Sequence, residues 1–272
     1  MKDIQSEKDS RGIELNCVGI KGLCYPIRVL DSEHNLRHTS GIFTMTTRCP
    51  AHQRGVHMSR FVEAINMINM DTHLCVKNLA LVTSSLTGQE NVRVSVEYDY
   101  FVPLKAPVTE YPSLIHVQVC EEAVMDNDGI YLARHVKVPV TTLCPCSKEI
   151  SEYGAHNQRT MVKLSIVPGL DFEGPSIDDM LKWTLMSGSA PVYPLLKRVD
   201  EKHVTEQAYN NPKFVEDVVR DLAVFLQERE EIYSFGVECT SLESIHDHQA
   251  FASYAWSRGD DEETEDEDLS EV

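Results

Sequence analysis

Two cysteines and a histidine stand within thirteen residues in TTLCPCSKEISEYGAHNQR, at Cys144, Cys146 and His156. Thiolate and imidazole are the donors that zinc and iron prefer. A closed structural zinc site takes four such ligands, commonly from C-x-x-C pairs, and the chain has no C-x-x-C. The spacing therefore suits part of an open site with a position left for water. Buried cysteines that pack as small hydrophobes give the same spacing. Spacing alone leaves both readings open.

Other groups stand where they would complete such a site. Glu201 lies in KRVDEKHVTEQ, and Glu243, His246 and His248 lie in LESIHDH, just after a strand-like run. In an extended chain His246 and His248 share a side, and paired histidines at a strand end suit proton transfer near neutral pH. An exposed pair with no such role fits equally. Glu216 falls on the flank of a helical apolar stripe, where the plain expectation is a solvated carboxylate paired with Arg220 at i+4. The bases of HQRGVHMSR, residues 52–60, would meet phosphate at a helix N-terminus. No Walker or dinucleotide glycine fingerprint and no G-x-S-x-G elbow occurs.

The elements that must position these groups follow from periodicity. Residues 13–30 and 39–48 read as strands. Met58, Phe61, Ile65 and Ile68 mark one helix; Leu74, Val76, Leu79 and Val82 mark a second that ends at Gly88. Val92 to Val102 alternates apolar and polar residues without a break, which predicts a half-buried strand. Further strands are expected at 114–124, 130–140 and 161–167, and a helix at 177–187. Asn211-Pro212 predicts a helix start with proline at its first position. Its stripe is Val215, Val218, Val219, Leu222, Phe225 and Leu226. Two closing strands, 232–243 and 250–257, complete an order of strands and helix pairs that suggests a duplicated α+β module.

Composition sets the outer bounds. With 272 residues and 42% hydrophobic content the chain can bury a sizeable core. No apolar run of membrane-spanning length and no secretory leader is read, so a cytoplasmic, reduced-thiol protein without a membrane partner is expected. The net charge is −18, but residues 260–272 hold nine acids and no base, leaving 34 acids against 25 bases in the body. A run like DDEETEDEDLSE reads as a solvated, disordered tail. So acidic a body excludes nucleic acid as a partner gripped by its phosphates.

Five segments resemble the type IB GTP cyclohydrolase I family, the prokaryotic form distinct from the animal-type enzyme. They are GIKGLCYPI, RGVHMSRFVE, TTLCPCSKEISEYGAHNQR, DEKHVTEQAYNNPKFVEDVVR and LESIHDHQAFA, and they run from about Val18 to Ala252. The acidic tail, Cys24 and Cys49 depart from the family pattern. The resemblance implies an α+β tunnelling fold of tandem ββαα modules, with antiparallel sheets and helix pairs on one face, over residues 13–259 behind a flexible 1–12. It implies a homotetramer with active sites at subunit interfaces. It also implies conversion of GTP and water to formate and 7,8-dihydroneopterin triphosphate, at the start of folate and pterin synthesis.

By motif position, one divalent ion (zinc, manganese or ferrous iron) would be held by Cys144, His156 and Glu201, with water completing the set. Cys144 is thereby also catalytic, His246 or His248 would shuttle protons, and Cys146 would be auxiliary. Glu216 would anchor guanine, with Glu243 a competing anchor, and Lys148 and Arg159 would contact the triphosphate. Two alternatives stand beside this: a related cyclohydrolase that releases a cyclic phosphate of dihydroneopterin, and a non-catalytic, metal-stabilised interaction protein.

Overall fold

The computed structural model describes residues 3–69, 73–169 and 174–259. The acidic run 260–272 lies outside the described residues. In chain order the elements are β1 (Leu15–Leu30), β2 (Leu36–Cys49), α1 (Ser59–Asn69), α2 (Val76–Thr87), β3 (Val92–Lys105), β4 (Pro112–Asp126) and β5 (Gly129–Leu143). Then come α3 (Pro145–Ile150), β6 (Asn157–Pro168), α4 (Ile177–Ser187), the short β7 (Ala190–Pro191), α5 (Arg198–Asn210), α6 (Val215–Gln227), β8 (Ile232–Ser241) and β9 (Ala250–Ser257). The strands hydrogen-bond in the order β1-β2-β3-β4-β5-β6-β8-β9, with β7 beside β5. No helix among the described residues is long and apolar enough to cross a membrane.

The described residues divide into two compact units, one within residues 3–100 and 118–134, the other within 101–117 and 135–259. In the first, β1 and β2 form a long antiparallel hairpin, and β2 pairs antiparallel with β3 from Gly41↔Tyr98 to Thr47↔Val92. The alternation of Val92, Val94, Val96, Tyr98 and Tyr100 is seen directly, each buried beside an exposed or half-buried neighbour. Phe43 and Met45 of β2, opposite Val96 and Val94, are buried too, as are Phe61 and Ile65 of α1 and Leu79 of α2. α2 stops at Gly88, whose φ of 69° is the left-handed turn that glycine adopts without strain.

In the second unit β6, β8 and β9 pair antiparallel, and α6 packs on β8 and β9. The stripe expected for α6 is buried at Val215, Val218, Val219, Leu222 and Leu226, with Ala223 added; Phe225 meets Trp183 of α4 edge-on, ring centres 5.4 Å apart. The helix begins three residues later than Asn211-Pro212 predicts. Asp217 accepts from the Phe214 N–H at 2.9 Å and starts the helix at Val215, so Pro212 sits in the approach to it.

The tunnelling-fold expectation of tandem ββαα modules is corrected. After the first ββαα the chain lays down three consecutive strands of 14, 15 and 15 residues, then α3, β6 and three helices before the last two strands. Each of those three strands contributes residues to both units, so the chain has no break at which a second ββαα module begins. Periodicity reveals which face of a strand is buried, not which strand lies beside it.

α5 escapes the periodic reading for a physical reason. Its buried residues are Asp200 and Ala208, so it carries no apolar stripe. Asp200 is the anchor instead. Its carboxylate accepts from the backbone N–H groups of Val108, Thr109 and Lys197, each at 2.9 Å, and from the Thr109 hydroxyl at 2.7 Å. Burial would raise its pKa. The Thr109 hydroxyl and the three N–H groups outweigh that and hold the carboxyl well below the usual range.

Candidate active site

Three segments of the second unit converge because the backbone ties them together. β5 ends at Leu143, whose N–H donates to Ser189 Oγ at 3.1 Å and whose carbonyl accepts from Lys213 N–H at 3.0 Å. Asn211 Nδ2 donates to the carbonyls of Gly188 and Ser189 at 3.1 and 3.2 Å. Gly188 is required there, since a Cβ would sit 2.7 Å from Val140 Cβ. These bonds bring the approach to α6 beside Cys144.

Cys144 itself is the N-cap of α3: its Sγ accepts from Ser147 N–H at 3.4 Å, and Ser147 Oγ donates to the Cys144 carbonyl at 3.2 Å. The same Oγ accepts from His156 N–H at 3.2 Å, and Cys144 N–H donates to the His156 carbonyl at 3.1 Å. Cysteine and histidine, twelve positions apart in sequence, are thus locked side by side through their backbones.

Around them lies an open cavity of about 240 Å³. Cys144, His156, Gln158, Glu216, Glu243, His246 and His248 line it, with Thr142, Lys213, Phe214 and Val215 among the walls. The His246 and His248 rings stack, centres 5.0 Å apart and 17° from parallel. Glu216 is exposed on the first turn of α6 and has no ion-pair partner among the described residues; Arg220 sits 3.9 Å from Asp217 instead, so the i+4 pairing expected for Glu216 does not form. Behind the cavity His156 Nδ1 lies 2.9 Å from Gln158 Oε1, and Gln158 Nε2 donates to Glu243 Oε1 and to Thr142 Oγ1, both at 3.3 Å.

A type I GTP cyclohydrolase folE2 description matches residues 1–252 of the chain. A GTP cyclohydrolase FolE2 of Thermosipho africanus is 41% identical over 255 residues, covering 93% of this chain and 96% of that one. One of Dictyoglomus turgidum is 42% identical over 257 residues, again covering 93% and 96%. The chain belongs to the FolE2 family of GTP cyclohydrolases. The narrower type IB label drawn from the motifs gives way to that name. Among solved structures, the uricase from Arthrobacter globiformis is similar with a TM-score of 0.56 over 90% of this chain and 94% of that one, at 8% identity. That likeness concerns fold alone, and it places the architecture with uricase in place of the tandem-module expectation.

In this member of the FolE2 family the residues singled out from sequence are only partly gathered. Cys144, His156, Glu216, Glu243, His246 and His248 share the cavity. Glu201 does not line it; it is exposed on α5, next to the buried Asp200. Among the described residues no three His, Cys, Asp or Glu side chains stand close enough to hold a metal ion. Of the three expected ligands, Cys144 and His156 line the cavity and Glu201 does not. Cys146 is exposed on α3 outside the lining, as is Arg159 at the start of β6. Lys148 is occupied elsewhere: its Nζ donates to the Tyr209 carbonyl at 2.5 Å and lies 4.5 Å from the centre of the Tyr209 ring.

The cation on the cavity wall is Lys213, which sequence reasoning passed over, together with Gln158 and Thr142. Lys213 Nζ donates to the Ser187 carbonyl at 2.8 Å and to Asp221 at 2.6 Å, leaving one of its three hydrogens. A signal for Gln158 was available, since position i+2 from His156 at the start of a strand shares its side.

Proposed function

We propose that this cavity receives the guanine end of GTP, and that the chain turns GTP and water into formate and 7,8-dihydroneopterin triphosphate. The observation that carries this is the gathering of Glu216, His246, His248, Cys144 and His156 around one opening. At about 240 Å³ it is smaller than the roughly 300–1,000 Å³ of sites that enclose whole drug-sized ligands, which suits a base more than a nucleotide.

Glu216 is the better anchor of the two carboxylates. A carboxylate accepts two hydrogen bonds, one from guanine N1–H and one from the exocyclic amine. Glu243 already accepts from Gln158, whereas among the described residues neither Glu216 oxygen accepts a hydrogen bond. With the base held there, the stacked histidines supply proton transfer. One protonates the departing ring nitrogen as water adds at C8 and the imidazole opens; the same pair serves formyl hydrolysis and the ribose rearrangement that closes the pterin. The expected ion, zinc, manganese or ferrous iron, would take Cys144 and His156 as donors and supply Lewis-acid activation of water. Glu201 stands apart from this pair within one chain.

The homotetramer expected with this function has support in the strand order. β1 and β9 end it, and Leu15, Phe251 and Tyr254 on them are exposed apolar residues of the kind that subunit contacts cover. A cytoplasmic location fits this metabolic role.

The test is product analysis. Chelator-treated protein is given GTP with zinc, manganese or ferrous iron in turn, and formate is counted against neopterin after oxidation and dephosphorylation. Equal yields with one ion support the proposal and name the ion. Formate without pterin, or neither product with any ion, overturns it.

A further inference from the structure

The hydrogen-bond chain behind His156 has only one consistent polarity. Glu243 carboxylate oxygens accept and do not donate, so the 3.3 Å contact with Gln158 must come from the Gln158 amide N–H. The second hydrogen of that amide goes to Thr142 Oγ1, also at 3.3 Å. Gln158 Oε1 is then the atom 2.9 Å from His156 Nδ1, and a carbonyl oxygen only accepts. Turning the amide over would set its carbonyl against the Glu243 carboxylate, acceptor against acceptor. Ser244 Oγ, 3.4 Å from the same Nδ1, is the longer contact, and its rotatable hydroxyl imposes no polarity of its own. In a neutral imidazole with Nδ1 protonated, the lone pair is on Nε2, which has no partner among the described residues.

We propose that Gln158 is a positioning residue that takes its orientation from Glu243 and fixes His156 as the Nδ1–H tautomer, with Nε2 kept bare as the donor atom of the cavity. The backbone of His156 is already held by Ser147 and Cys144, so the ring is the remaining freedom, and Gln158 removes it. A bare, oriented Nε2 is what a divalent ion requires of a histidine, and a partner on the other ring nitrogen typically changes ion affinity about 10–100-fold. Glu243 acquires a role distinct from that of Glu216: it acts through Gln158 on His156. The inference deepens the proposed site and rests on it for the use of Nε2, but the tautomer itself is a property of the metal-free chain.

The experiment is long-range proton–nitrogen NMR on the full-length, metal-free protein with labelled histidine, above the imidazole titration. His156→Ala assigns the ring signal, and zinc titration is run alongside. The wild type is expected to show Nδ1 protonated and Nε2 bare. Gln158→Leu should release His156 to a mixture of tautomers and weaken zinc binding about 10–100-fold. The double change Gln158→Glu with Glu243→Gln reverses donor and acceptor between the two sites but leaves an acceptor facing Nδ1. It should restore both the tautomer and most of the affinity. A wild-type His156 protonated on Nε2, or a folded Gln158→Leu protein with unchanged tautomer and zinc affinity, overturns the inference. Absence of GTP turnover in a wild type with the expected tautomer would sink the proposed function and leave this inference standing.

Discussion

At the scale of single residues, the proposed mechanism gives the two carboxylates and the two histidines of the cavity separable jobs. In the proposed mechanism the stacked His246 and His248 would form one proton-transfer station with two bases. Removing either alone should leave partial activity. His246→Ala with His248→Ala together should cost about 10²–10⁴-fold in kcat, the usual worth of a general acid–base group. Steady-state kinetics check this; a double variant within about tenfold of wild type would remove the histidines from the chemistry. Spacing alone left a bland reading open for Cys144, His156, Glu216, His246 and His248, and only the family resemblance joined them with Glu243 in one site, which is where the cavity gathers them. What the sequence could not reveal is occupancy. Lys148 looked free for phosphate and is spent on Tyr209, while Lys213, an unremarked residue after a proline, is the cation of the wall. Side-chain partners far apart in sequence decide such things, and spacing does not carry them.

At the scale of elements, strands and stripes were readable where burial is periodic, as in β3 and α6. They were not readable where a polar group does the anchoring. α5 depends on Asp200, and its depressed pKa gives a signed expectation. A carboxyl held low in the folded state contributes stability that is present above its unfolded value near 3.8 and is lost as pH falls below it. Asp200→Asn should therefore melt at lower temperature than wild type near neutrality, and the gap should narrow as pH drops below about 4. Thermal melts from pH 3 to 7 test it; a gap that widens on acidification would contradict the sign. For contrast, Leu222→Ala in the apolar face of α6 should cost about 2–5 kcal/mol at every pH, as a cavity in a packed core does.

At the scale of the whole molecule, the sequence indicated the family but not the arrangement. Alternation shows that β3 has a buried face; it does not show that β3, β4 and β5 run on as strands of 14 or 15 residues through two units, which is where the tandem-module expectation failed. The family match ends at residue 252, before the acid-rich run, and every cavity residue precedes it. Deleting residues 260–272 should therefore leave turnover and melting temperature unchanged. Sedimentation of the full-length protein should give four chains, with Phe251→Glu on β9 shifting it towards smaller species and lowering activity with it. A fully active monomer would contradict the proposed assembly.

The proposed reaction holds and opens guanine in the cavity that Glu216 borders. It is tested most directly by comparing kcat/KM for GTP and for inosine triphosphate, which lacks the exocyclic amine, in wild type and Glu216→Gln. Each hydrogen bond to a charged group is worth about 1.5–3 kcal/mol, so wild type should prefer GTP by about 10–100-fold. Glu216→Gln should lose at least a comparable factor on GTP, and its preference should fall towards one. A Glu216→Gln protein with wild-type kcat/KM and undiminished preference for GTP would place the guanine elsewhere.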